Sequence, residues 1–271
     1  MKHASVRPRP PPDYQKDLVK QITELGYRHS HWQVFADFVE MGAIALSNAV
    51  DLRTREAREK RYMEVIARYK PDEAAKFSHM LGMVTMALEE ETCDVLGATF
   101  HDLELHNKWA GQYFSPYPLC RMMAKMILGG REEVEARIAE RGYLSASEPA
   151  SGSGAMVIAL AHEIRELGIN YQKHLHVTAV DVDPKCVHMT YLQLSLLHVP
   201  ARVIHGNSLS LEEFGHWYTP AHILDGWDWK LRTQPDDAAG HPVQEAPAIE
   251  TSRPAKGEKA SESGPMQLGL F

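Results

Sequence analysis

The segment Glu148-Pro149-Ala150-Ser151-Gly152-Ser153-Gly154 constrains this chain more than any other. It follows a short strand-like run near Tyr143–Ser147 and precedes a helix-like run from Ala155. Two glycines in a strand-to-helix turn let the backbone take conformations closed to residues with Cβ, and let another group approach closely. The helix N-terminus behind such a turn presents unpaired N–H groups to a negatively charged or polar ligand. Downstream, Val177-Thr178-Ala179-Val180-Asp181 is an apolar strand ending in an acid, the arrangement that binds ribose hydroxyls in doubly wound folds. Together these predict an α/β fold with a nucleotide-type site. The dinucleotide fingerprint does not fit: its third small residue falls on Val157, and Asp181 lies further on than the roughly 20 residues expected.

A third motif precedes the turn: Gly111-Gln112-Tyr113-Phe114-Ser115-Pro116. Taken together, the motifs resemble the S-adenosylmethionine site of DNA adenine-N6 methyltransferases, specifically the modification subunits of type I restriction systems and their stand-alone relatives. That family carries Gly-x-Phe-Phe-Thr-Pro, then Asp-Pro-x-x-Gly-Ser-Gly. Asp94–Phe100 is similar to its helix leading into the site, and Gly206-Asn207-Ser208-Leu209 to its Gly-Asp-x-Leu turn. The likeness runs over about residues 93–210. It implies a small, truncated Rossmann-like class I methyltransferase fold. It also implies that Phe114, Ser115 and Pro116 line the methionine end of S-adenosylmethionine. Glu148, Pro149, Ala150, Ser151, Gly152 and Gly154 would hold its amino-acid moiety and pack under the ribose. Asp181 would take the ribose hydroxyls. Asn207 stands where the family has an Asp that meets the adenine amino group; an amide oxygen can still accept there.

One departure is large. The family's Asn/Asp-Pro-Pro-Tyr/Phe motif, which accepts from the target amino group and stacks on the flipped base, is absent from the 271 residues. At a similar distance stands Trp217-Tyr218-Thr219-Pro220-Ala221-His222, so Tyr218, Thr219 and Pro220 are the candidate catalytic residues. The alternative, a surface loop with an aromatic anchor, stays open, because Glu212–His216 is not the continuous apolar run of a buried parallel strand. Three strands are predicted, near Tyr143–Ser147, His176–Val180 and Ala201–His205, where a full methyltransferase sheet has seven.

The domain plan has four parts. Residues 1–12 are basic, Pro-rich and expected to be disordered. Residues 13–110 form a helical subdomain, with Trp32, Phe35, Phe38, Val39 and Ile44, then Tyr62, Val65, Ile66 and Tyr69, near helical spacing, and Pro71 at a helix start. Residues 111–234 form the cofactor-binding part. Residues 235–271, rich in Pro, Ala, Glu, Ser and Gly, are expected to be a disordered tail. Its end, Gln267-Leu268-Gly269-Leu270-Phe271, resembles the pentapeptide by which bacterial replication and repair proteins bind the sliding clamp. Gln267, Leu268, Leu270 and Phe271 are therefore candidate partner-binding residues, on a tail that gives reach.

Net charge is −7, which does not suit nonspecific coating of nucleic acid. A DNA-acting protein of this balance needs a local basic patch, for which Arg121, Lys125, Arg131, Arg137 and Arg141 are candidates, or delivery by a partner. Cys93, Cys120 and Cys186 have no paired spacing, and the fifteen histidines lack zinc-site spacing, so neither disulfides nor metal are expected. No apolar run is long enough to span a bilayer, and no secretory signal pattern is present; the expected setting is the bacterial cytoplasm. Three readings compete: a methyltransferase acting through Tyr218–His222 or through residues of a second subunit, a non-catalytic cofactor- or DNA-binding relative tethered to the clamp, and a remnant with an empty site.

Overall fold

A computed structural model describes residues 13–105 and 114–233. The chain divides into Met1–Gln234 and Pro235–Phe271, and the second unit lies outside the described residues. The clamp-like Gln267–Phe271 and the basic N-terminus therefore lie outside them too, as do residues 111–113 of the first motif.

Five helices come first: α1 (Tyr14–His29), α2 (His31–Val50), α3 (Arg55–Ile66), α4 (Pro71–Glu90) and α5 (Val95–Asp102). Their ends are set by local chemistry. Asp13 and Ser30 accept from backbone N–H groups at the starts of α1 and α2. Pro71 opens α4, and the Glu73 carboxylate accepts from the Lys70 backbone N–H at 2.9 Å. The α2 stripe buries Phe35, Phe38, Val39 and Ile44, whereas Trp32 at its start is half exposed.

The remaining elements are α6 (Tyr117–Leu128), α7 (Arg131–Arg141), β1 (Leu144–Glu148), α8 (Ala155–Glu166), α9 (Tyr171–His174), β2 (Leu175–Asp181), α10 (Pro184–Leu196), β3 (Ala201–Asn207), β4 (Glu212–Tyr218), α11 (Pro220–Leu224) and α12 (Trp227–Arg232). The sheet order is β1-β2-β3-β4, with the first three strands parallel and β4 antiparallel to β3. The fold is thus α/β, with a four-stranded sheet among the described residues.

Two features differ from the sequence reading. First, helices α1–α5 and the sheet share one hydrophobic core, running from Leu18 and Phe35 through Leu192 to Val177 and Val203. Gly42 lets α2 lie directly against Leu192 of α10, where a Cβ would come within 3.1 Å of that side chain. Arg58 of α3 adds a polar tie: its guanidinium lies 3.8 Å from the Trp217 ring and donates to the His216 carbonyl at 2.8 Å. Second, Glu212–Tyr218 is a strand, though not a parallel one. As an antiparallel edge it needs no continuous apolar run, and Trp217 packs inward against Tyr191 and His188. A bulge shifts the β3–β4 register between His205 and Gly206, and Gly206 is needed because a Cβ would come within 2.6 Å of the Glu212 carbonyl.

Candidate functional site

The parallel strands β1, β2 and β3 end side by side at Glu148, Asp181 and Asn207. Crevices at the carboxyl ends of parallel strands are where open α/β sheets bind ligands. The glycine turn sits directly above β1. Gly152 and Gly154 take φ of 56° and 94°, in the left-handed region. Gly152 has a second reason to be glycine: a Cβ would come within 3.0 Å of the Phe114 ring. Phe114 in turn packs on Phe100 at 4.9 Å. The first and second motifs are therefore in contact through an aromatic ring on a bare backbone.

Asp181 closes the arrangement. Its Oδ2 accepts from the Gly152 N–H at 2.8 Å and its Oδ1 from the Asp183 N–H at 2.9 Å. With four lone-pair sites the carboxylate keeps acceptor capacity for an incoming hydroxyl. Burial pushes the Asp181 carboxyl above its ordinary range, and the backbone N–H donors pull it back. Glu148 Oε1 accepts from the Ala150 N–H at 3.1 Å, which sets the start of the turn, while Ser208 Oγ donates to the Pro149 carbonyl from the β3–β4 loop. Ser115 and Pro116 are exposed at the start of α6.

Asn207 behaves differently from the reading above. Its Oδ1 accepts from the N–H groups of Leu209 and Ser210 at 3.0 and 3.3 Å. Both lone pairs of that oxygen are engaged in turning the chain into β4, so what Asn207 offers a ligand is its Nδ2 donor.

Tyr218, Thr219 and Pro220 are not at this site. Because β4 runs antiparallel, Tyr218 pairs with Arg202 at the start of β3, five residues and about 16 Å of strand from Asn207. Thr219 is fully buried; its Oγ1 donates to the Val199 carbonyl and accepts from the Ala201 N–H, capping α11. The segment expected to be catalytic thus lies at the opposite end of β3 from Asn207, with Thr219 capping α11.

Beneath the turn lies a polar network that the motifs did not reveal. Asp94, buried at the N-cap of α5, accepts from Ser153 Oγ, from Gln193 Nε2 at 2.9 Å and from the Gly97 N–H at 2.9 Å. Gln193 also donates to the Ser153 carbonyl at 2.8 Å and accepts from the Leu96 N–H at 3.1 Å. Thr190 Oγ1 donates to the Gly152 carbonyl at 3.1 Å. Burial raises the Asp94 carboxyl while its hydrogen bonds oppose the rise. This network joins α5, α10 and the glycine turn into one rigid support. The available signal was polar residues at i and i+3, Thr190 and Gln193, on the otherwise apolar face of α10.

The basic candidates are largely engaged. Arg121 and Lys125 both approach the buried Glu163 of α8, at 2.6 and 3.5 Å, and Arg131 pairs with Glu135 at 2.7 Å.

No protein-family model matches the sequence, and no curated protein matches it. Among solved structures, a Listeria monocytogenes protein described as a candidate class I S-adenosylmethionine-dependent methyltransferase is similar at 12% identity, with a TM-score of 0.43 over 81% of this chain and 70% of that one. At that level of likeness the functional assignment falls to the site residues themselves.

Proposed function

We propose that the chain binds S-adenosylmethionine at the carboxyl ends of β1–β3, as a protein of the DNA adenine-N6 methyltransferase type. The observation that carries this is the Asp181 carboxylate, anchored by the Gly152 N–H with lone pairs to spare, beneath a turn that Phe114 closes. The residues fit the ligand. Asp181 would accept from the ribose hydroxyls, Glu148 would face the ammonium group, and Phe114 with the exposed Ser115–Pro116 would line the methionine end. Val182 and Leu209, both exposed at the strand ends, offer apolar surface to the adenine, and Asn207 Nδ2 a donor. The bound cofactor would supply an electrophilic methyl group; the chain's own part is to bind and orient it.

Of the two roles open to such a protein, the binding or partner role is favoured over methyl transfer by the chain alone. The specific observation is the place of Tyr218–Pro220, remote from the turn. DNA is the proposed macromolecular target, and Gln267–Phe271 the proposed tether to a bacterial sliding clamp. A tritium-transfer assay on plasmid DNA, paired with clamp binding by full-length chain and a chain lacking residues 267–271, tests this reading. Expected are no methyl transfer by the chain alone and clamp binding only with the pentapeptide present. Transfer by the isolated chain, or equal clamp binding by both forms, would overturn the respective part.

A further inference from the structure

Helix α6 is apolar apart from Arg121 and Lys125. One stripe, Cys120, Ala124 and Leu128, is buried, with Ala124 and Cys120 packed against Ala155 and Ala159 of α8. On the remaining surface Leu119, Met122, Met123, Met126 and Ile127 are exposed, Met126 by 77%. Its two cations, Arg121 and Lys125, turn to Glu163 of α8, so the exposed apolar face stands without a partner of its own. These five residues present on the order of 400–500 Å² of apolar area, a patch of the size that on a monomer is often functional.

Beside that ridge lies a groove of about 520 Å³. Ile127 and Leu128 of α6 form one wall, Met156 and Leu160 of α8 another, and the charged Arg137 and Glu140 of α7 a third, with β1 along the floor. Strand β1 pairs with β2 on one side; among the described residues no strand pairs with its other edge. An open edge next to exposed apolar side chains is a template for another chain. Its residues Ser145, Ala146 and Ser147 are small, so a second backbone can approach closely.

The geometry points to a second copy of this chain as the occupant, joined about a twofold axis near Ala146. Three features argue for a copy. Ridge and groove lie side by side on one surface, so the surface is complementary to itself, as a twofold contact requires. A twofold perpendicular to the sheet brings the two β1 edges together antiparallel and keeps both α6 helices on the same face, where each ridge meets the other's groove. The ridge alone supplies more than half of the roughly 800 Å² per copy typical of a stable interface, and the groove and the β1 edge add to it. The seam also ends at Glu148, so the partner copy forms the wall of the ligand crevice on its β1 side. This holds whatever ligand the crevice takes.

Sedimentation velocity of the full chain from about 1 to 100 µM tests the inference. We expect a dimer that Met126→Glu shifts to monomer by at least tenfold in dissociation constant, with circular dichroism and melting curve showing the variant folded. Hydrogen exchange of the unmutated chain supplies a second readout: amides in residues 119–127 and 144–148 should become more protected as concentration rises. A monomer throughout the range would overturn the inference. So would a dimer untouched by Met126→Glu whose exchange protection falls elsewhere.

Discussion

Gly152→Ala is the sharpest local test of the site's construction. Gly152 stands at φ 56°, where an alanine costs about 1–2 kcal/mol. Its new methyl would also lie 3.0 Å from Phe114 Cδ1, closer than carbon atoms pack, so the ring must retreat by a few tenths of an ångström. Phe114 is held by Phe100, and some part of its packing is lost in the move. A total near 2 kcal/mol corresponds to a melting-temperature fall of about 4–8 °C for a folded unit of this size. Gly82 provides the opposite case. It lies exposed in the middle of α4, and a Cβ there would meet nothing within 4 Å. Gly82→Ala should therefore stabilise, by about 0.5–1 kcal/mol, through helix propensity and reduced freedom of the unfolded chain. Both variants are to be followed by thermal and urea denaturation. Equal stability of Gly152→Ala and the parent, or destabilisation by Gly82→Ala, would refute this account of the two positions.

Gln193→Leu should leave Asp94 Oδ1, the Ser153 carbonyl and the Leu96 N–H without that partner, and lower stability by about 2–4 kcal/mol in urea titrations; an effect below 1 kcal/mol would show that the network does not hold the turn. Arg58→Ala should cost about 1–3 kcal/mol and raise hydrogen exchange at Trp217 and Tyr218, because it removes the Trp217 contact and the bond to the His216 carbonyl. Stability should also fall with pH. Burial, with the nearby charges of His222 and Arg202, pushes His176 down to about 3, and burial pushes His188 down to about 4. Both folded values lie below the unfolded one, near 6.5, so the unfolded chain takes up protons first. Their contribution is fully present above pH 6.5 and is lost as pH falls toward 4 and then 3, by about 1.4 kcal/mol per pH unit for each group. The difference in stability between the parent and His176→Gln should shrink from pH 7 to pH 5; a constant difference would contradict the assignment.

The glycine turn and the acid-ended strand were more legible than the frame around them. Both are local signals, because few residues tolerate left-handed backbone and an acid closing an apolar run stands out, so the places of Gly152, Gly154 and Asp181 could be read. Strands β2 and β3 were legible from their apolar residues, and β1, Leu-Ser-Ala-Ser-Glu, from its place before the glycine turn. Strand β4 was not, since an antiparallel edge carries no continuous apolar signature, and its direction decided where Tyr218 went. The role of Asn207 was hidden for a related reason: its oxygen serves the hairpin that β4 creates. Asp94, Thr190 and Gln193 meet only through tertiary packing, with Asp94 99 residues from Gln193 along the chain, and no local pattern announces that. The shared core of helices and sheet was equally out of reach, because periodicity shows which face of a helix is buried and not what covers it.

Calorimetric titration with S-adenosylmethionine, on the parent chain and on Asp181→Ala, tests the central claim most directly. The account predicts saturable one-site binding by the parent. It predicts a loss of about 1–3 kcal/mol in the variant, or roughly 5- to 150-fold in affinity, as hydroxyls lose a charged acceptor and the Gly152 N–H loses its anchor. Absence of binding by the parent at millimolar cofactor, or equal affinity of parent and variant, would contradict it.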